Sequence, residues 1–292
     1  MEGGFKLTEE MNYGEDYKYI PVTSIMSGKG QEVRPDIYAF TVQVVNLCMV
    51  GEPNSSTGWT LIDAGMPKSA DAIIKEAENR FGVNARPNGI VLTHGHFDHV
   101  GAIIELIEHW NVPVYAHELE IPYLTGVKSY PDADPTVEGG LVARMSPYFP
   151  NEPINLGDHV KPLTSDGRVP ALQDWSWIHT PGHSPGHVSF FRESDGALIA
   201  GDAFVTVKQE SLFKVLVQNQ EISGPPRYLT TDWKQAWHSV KKLKDLRPSV
   251  AITGHGLPMQ DEALAENLTK LVNEFDEIAI PKHGRYVDGL EN

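Results

Sequence analysis

Residues Thr93-His94-Gly95-His96-Phe97-Asp98-His99 set three imidazoles and a carboxylate within six positions, between the apolar runs Ile90-Val91-Leu92 and Val100-Gly101-Ala102. Such a segment constrains the fold, because its apolar flanks must be buried while its polar centre emerges where a short strand gives way to a helix. With 12 His in 292 residues, chance puts three at fixed places in roughly 7 of 100,000 windows, before Asp98 is demanded. Metal binding explains the cluster better than chance or a solvated turn. The spacing predicts that the strand end fixes the backbone, that Gly95 lets the chain turn, and that Asp98 and His99 project from the first helical turn beside His94 and His96.

Three further segments end an apolar run with Gly and then a ligand-type side chain: Thr180-Pro181-Gly182-His183, Ala200-Gly201-Asp202 and Thr253-Gly254-His255. Singly, Gly-His and Gly-Asp are common turn pairs. Together they predict one pocket built from distant parts of the chain at a sheet edge. Cys48 is the sole cysteine, so an intramolecular disulfide and a thiolate cluster are both excluded and a metal site must use His and carboxylates.

The formal net charge of -15 disfavours nucleic acid and anionic membrane as partners. The acidic, polar start MEGGFKLTEEMNYGEDY has no secretory pattern, and no stretch reaches the roughly 18 apolar residues of a membrane span. The expectation is a cytoplasmic protein acting on a small molecule; the oligomeric state stays open, with a dimer compatible.

Ile37 to Val50 reads as a strand, and Trp59 to Asp63 as its hairpin partner across Gly51-Glu52-Pro53-Asn54. Lys68 to Phe81 has helical spacing, Gly89 to Leu92 is a buried strand, Val100 to Trp110 a helix and Pro113 to Ala116 a strand. This β-α-β-α-β run predicts helices packed on a sheet. Residues 118–170 scatter Pro and Gly among Tyr123, Tyr130, Tyr148 and Phe149, which predicts loops and short helices capping the site of a single domain spanning 1–292. Strands follow at Trp175 to His179, His187 to Arg192, Ala197 to Ala200 and Val250 to Thr253, with helices at Trp233 to Leu243 and Asp261 to Phe275. Trp175, Trp177, Trp233 and Trp237 read as packing residues, and His109, His117, His159, His179, His238 and His283 as ordinary ones.

In the order and approximate spacing of His-x-His-x-Asp-His, a later His, an Asp and a last His, the chain resembles the metallo-β-lactamase superfamily over nearly its whole length. The resemblance implies an α/β fold, a four-layer αββα sandwich with metals at one edge. It implies that His94, His96 and His183 hold one ion, Asp98, His99 and His255 a second, and that Asp202 bridges them. Asp63 matches an acidic position that supports the site. His187 is a further candidate, as an extra ligand or as a support.

Imidazoles and carboxylates suit two divalent ions, zinc first, with iron or manganese as alternatives. Two such ions roughly 3.5–4 Å apart share a hydroxide at neutral pH. That hydroxide is the expected nucleophile on a small ester, lactone or thioester, with Asp98 and Asp202 in catalytic roles and Asp98 helping to move the proton. Lactonases of the family place a Tyr soon after the bridging Asp; here Ala203-Phe204-Val205 follows, so Tyr228 or an aromatic of 118–170 is the substitute candidate. Glutathione thioesterases of the family carry a helical domain after the last His, whereas only residues 256–292 follow it here, which disfavours that subfamily. The alternatives are a mononuclear iron persulfide dioxygenase-like enzyme and a non-catalytic metal-binding protein.

Overall fold

The computed structural model describes residues 10–138, 140–209 and 211–287. Its first sheet has seven strands in chain order: β1 (Lys29–Arg34), β2 (Ile37–Val42), β3 (Val45–Val50), β4 (Thr60–Ile62), β5 (Ile90–Val91), β6 (Val114–Ala116) and β7 (Val160–Pro162). The single strand expected over 37–50 is two strands. Val42 pairs with Val45 across a tight turn at Gln43 and Val44, where Gln43 adopts φ 55. β3 and β4 then form the expected antiparallel pair. From β4 to β6 the pairing is parallel, as crossovers through α1 (Ala70–Phe81) and α2 (Ile103–Trp110) require.

The second sheet takes β8 (Arg168–Val169), β9 (Leu172–His179), β10 (Val188–Arg192), β11 (Ala197–Gly201), β14 (Val250–Thr253) and β15 (Met259–Gln260), in the order β15-β14-β11-β10-β9-β8. A separate antiparallel pair joins β12 (Val205–Val207) to β13 (Gln220–Ser223). The remaining helices are α3 (Ile121–Leu124), α4 (Leu141–Met145), α5 (Leu212–Val217), α6 (Trp233–Asp245), α7 (Asp261–Asn273) and α8 (Phe275–Ile278).

Period-2 alternation sorts the strand residues into layers. Phe40 and Val42 face Ile73, Ala77, Ile103 and Ile107 of α1 and α2. Ile37 and Ala39, on the opposite face of β2, pack against Val188, Phe190, Ile199 and Ile252 of the second sheet. Leu198 and Ala200 turn outward to Trp233, Val240, Leu264 and Leu268 of α6 and α7. Three apolar interfaces thus separate four layers, helix, sheet, sheet and helix, as the resemblance implied. Phe190 sits fully buried between the sheets, where truncation to Ala costs about 3–5 kcal/mol.

Two strands lie inside 118–170, where loops and short helices were expected. β7 adds an edge to the first sheet and β8 an edge to the second. Only Val160 and Val169 are buried in these two strands, and Pro162 fits an edge alone, so neither carried a readable pattern. β1 was missed for the same reason, its residues being mostly exposed at the sheet edge.

Candidate metal centre

The sequence-predicted residues converge just beyond the carboxyl ends of their strands: Asp63 after β4, His94 to His99 after β5, His183 after β9, Asp202 after β11 and His255 after β14. All are buried. Three sets bring one ligand-type atom from each member within 4.8 Å of the others: His94, His96 and His183; His94, His99 and Asp202; and Asp98, His99 and His255. Asp202 Oδ2 lies between the sets, 3.5 Å from His183 Nε2, 3.6 Å from His99 Nε2 and 3.3 Å from His255 Nε2. Asp98 Oδ2 is 3.3 Å from His255 Nε2.

One correction concerns the backbone. Asp98 and His99 do not project from a helix; they lie in a turn closed by His99 N–H and Val100 N–H donating to His96 O, and α2 begins only at Ile103. Gly95 also serves differently from the expectation. Its φ is not left-handed, but a Cβ there would lie 2.6 Å from Tyr130 Oη. Gly254 likewise yields its space to the site, since a Cβ would meet Asp202 Oδ1 at 2.1 Å.

Hydrogen bonds fix the ring tautomers. Asp63 Oδ2 accepts from Thr93 Oγ1 and faces His99 Nδ1, both at 2.8 Å, while Asp63 Oδ1 accepts the Thr93 N–H. With its proton given to Asp63, Thr93 Oγ1 accepts from His94 Nδ1 at 3.0 Å. His255 Nδ1 donates to the Val44 carbonyl at 2.9 Å. Thr230 gives its proton to Pro226 O and so accepts from His183 Nδ1 at 3.2 Å. In each ring the other nitrogen, Nε2, is directed at the cluster. Asp63 holds φ 62, a conformation Asp tolerates better than most residues and one that occurs at functional sites.

His94 Nε2, His99 Nε2, His255 Nε2, Asp98 Oδ1 and Asp202 Oδ1 are all buried and lack a hydrogen-bond partner. Five orphaned buried atoms at one point would be a severe cost in a dry core. They fit a cation, and the donor set of imidazoles and carboxylates is that of a divalent ion.

The electrostatics differ across the cluster. Burial, with the neighbouring imidazoles, holds His94 and His183 well below the usual histidine range. Burial lowers His96 to about 4, with Asp98 opposing. His99 and His255 go the other way: burial opposes their charging, but Asp202, Asp63 and Asp98 raise His99, and Asp202 and Asp98 lift His255 to about 10. Asp98 and Asp202 stay below the usual carboxylate range despite burial, because His99 and His255 face them.

His187 is not available as a ligand. Its Nε2 accepts the Asp202 N–H at 2.9 Å, so Nδ1 carries the proton and meets Thr180 Oγ1 at 2.9 Å. The ring therefore supports Asp202. Tyr228 is buried near the cluster, lining a cavity with Phe149, Asp98 and His255.

Glu120 is the residue that sequence reasoning missed. Fully buried, its carboxylate accepts from Gly95 N–H at 3.0 Å, from Ser184 Oγ and Gly186 N–H at 2.8 Å each, and from Tyr130 Oη. It ties the His94–His96 loop to the His183–His187 loop. Burial raises its pKa, with those four donors opposing. No local motif marks it, because its partners lie on three other segments.

Comparisons with known proteins agree with this geometry. The family profile described as "Metallo-beta-lactamase superfamily" matches residues 43–255. The "Probable metallo-hydrolase YflN" of Bacillus subtilis (strain 168) is 48% identical over 260 residues, covering 89% of this chain and 98% of that protein. A "Hydroxyacylglutathione hydrolase" of Erwinia tasmaniensis is 30% identical over 164 residues, 55% of this chain and 49% of its own length. The crystal structure of a beta-lactamase domain protein from Burkholderia ambifaria superposes with a TM-score of 0.57 at 20% identity, covering 89% of this chain and 79% of that one, a likeness of fold.

Proposed function

Because this chain belongs to the metallo-β-lactamase superfamily and its near relatives are metallo-hydrolases, we propose that it is a dinuclear metal-dependent hydrolase of a small ester, lactone or thioester. The observation that carries this reading is Asp202 Oδ2, set within 3.6 Å of His183, His99 and His255, which belong to two separate ligand sets. His94, His96 and His183 would hold one ion and Asp98, His99 and His255 the other, with Asp202 shared; zinc is the first candidate, with iron or manganese as alternatives. When bound, the ions supply Lewis acidity and a water that ionises near neutral pH.

The chain's own residues do the rest. Asp63 and Thr93 orient His94 and His99, His187 holds the Asp202 backbone, and Glu120 fixes two loops against each other. Asp98, which lines the cavity together with Tyr228, is placed to accept and return a proton beside the reacting carbonyl. The substrate is a small molecule, with segment 118–170 as the cap of a single domain, and the setting is cytoplasmic. Among the described residues no helix is long and apolar enough to cross a membrane.

The test is a panel of small esters, lactones and thioesters assayed with wild-type protein and Asp98→Ala at measured metal content. We expect turnover of at least one class, with kcat/KM reduced by about 10²–10⁴ in the variant. No turnover of any class by the fully loaded wild type, or turnover indifferent to Asp98→Ala, would overturn the proposal.

A further inference from the structure

The cavity against Asp98 and His255 is walled almost entirely by hydrocarbon from six parts of the chain. Ile20 and Val22 come from the N-terminal arm, Val142, Met145 and Phe149 from α4 and the turn after it, and Leu212 and Val215 from α5. Val44, Met66 and Phe97 line it as well. The walls are anchored to one another. Gln43 Nε2 donates to Ile20 O at 2.6 Å and Val22 O at 3.1 Å, and Ile25 N–H donates to Leu216 O in α5. The Val44 carbonyl that accepts from His255 Nδ1 belongs to the same turn as Gln43, so the pocket and the ligand set share their backbone.

One polar side chain besides the metal-facing pair and the Tyr228 phenol lines this space. Gln209, between β12 and α5, is 3% exposed, and its Nε2 is buried with no hydrogen-bond partner. A buried amide N–H without an acceptor destabilises the protein that carries it, so its retention in an apolar wall points to an acceptor brought by a ligand. The free space is about 40 Å³, which suits a short chain rather than a long one.

We infer that this cavity is the substrate's specificity subsite, taking a short apolar group that carries a hydrogen-bond acceptor such as an amide or keto carbonyl, with Gln209 as the donor that reads it. The inference deepens the proposed hydrolase and rests on that reading for the placement of the scissile group. Substrates of this class set their carboxyl carbon beside Asp98 and His255, their acceptor at Gln209 Nε2 and their apolar end between α4, α5 and the N-terminal arm.

Product-like ligands test this without turnover. Isothermal titration calorimetry of the metal-loaded protein compares N-butyrylglycine, N-acetylglycine and hexanoate, which has similar length but no amide. We expect N-butyrylglycine to bind about tenfold tighter than N-acetylglycine, the gain of two buried methylenes. In Gln209→Leu, affinity for N-butyrylglycine falls about fivefold while hexanoate is unaffected. Gln209→Met, which keeps the length and removes the donor without adding charge, repeats that selective loss and guards against a packing artefact in the first variant. Equal affinities for the two acylglycines, or equal losses for hexanoate and N-butyrylglycine, would overturn the inference. Binding as expected with no hydrolysis of any ester, lactone or thioester would uphold the subsite and fell the hydrolase reading alone.

Discussion

Asp202 donates its backbone N–H to Nε2 of His187 at 2.9 Å, so a histidine spaced like a ligand instead holds the backbone of the carboxylate at the centre of the cluster. Removal of the ring in His187→Ala leaves that N–H unpaired in a buried site and frees the Asp202 loop to move. We expect a 10–100-fold loss of metal affinity or activity, the usual cost of deleting a supporting contact. Chelator competition followed by turnover assays checks this. Full affinity and activity in the variant would show that His187 only fills space.

Glu120 makes a second prediction, on stability. Glu120→Ala strips the acceptor from Gly186 N–H, Ser184 Oγ and Tyr130 Oη at once, and leaves Gly95 N–H with Tyr130 Oη alone. Each orphaned buried group costs roughly 1–3 kcal/mol, reduced where water enters the space left behind. A net destabilisation of about 3 kcal/mol is expected in denaturant unfolding, with Glu120→Gln intermediate because it keeps one acceptor oxygen. An Ala variant as stable as wild type would contradict the role given to this carboxylate.

The sequence disclosed the ligand types and the layers but not what supports them. His94 to His99 announced itself because all its members fall on one loop; the periods of α1, α2 and β9 are set by burial of one face, which leaves a pattern in the residues, and β11, buried on both faces, shows as a short apolar run. Glu120 left none, since a lone acidic residue before a short helix is ordinary until Gly95 and Gly186 fold against it. The break at Gln43 was hidden for a related reason. β2 and β3 are both mostly buried, so their apolar runs merge through a turn that contains no Gly or Pro.

Protons compete with metal for the imidazole lone pairs, and the two ligand sets differ in how tightly they hold protons. His96 is pushed down to about 4 and His94 and His183 well below the ordinary value, so these rings are already neutral near neutral pH. His255, lifted to about 10, and His99, also raised, carry protons in the absence of a cation. An ion entering the Asp98–His99–His255 set must displace them, so its affinity rises with pH toward about 10. Acidification from pH about 8 to about 5 should therefore release that ion first, leaving the His94–His96–His183 ion bound. Elemental analysis after dialysis across this range checks the order. Loss of both ions in one step would contradict the asymmetry.

The central claim is that Asp202 joins two metal sets into one centre, and metal content tests it most directly. Protein purified without added metal should contain about two divalent ions per chain, and Asp202→Ala should lose at least one of them together with turnover. A single ion per chain, unchanged in number by Asp202→Ala, would contradict the dinuclear centre and remove the bridging role from Asp202.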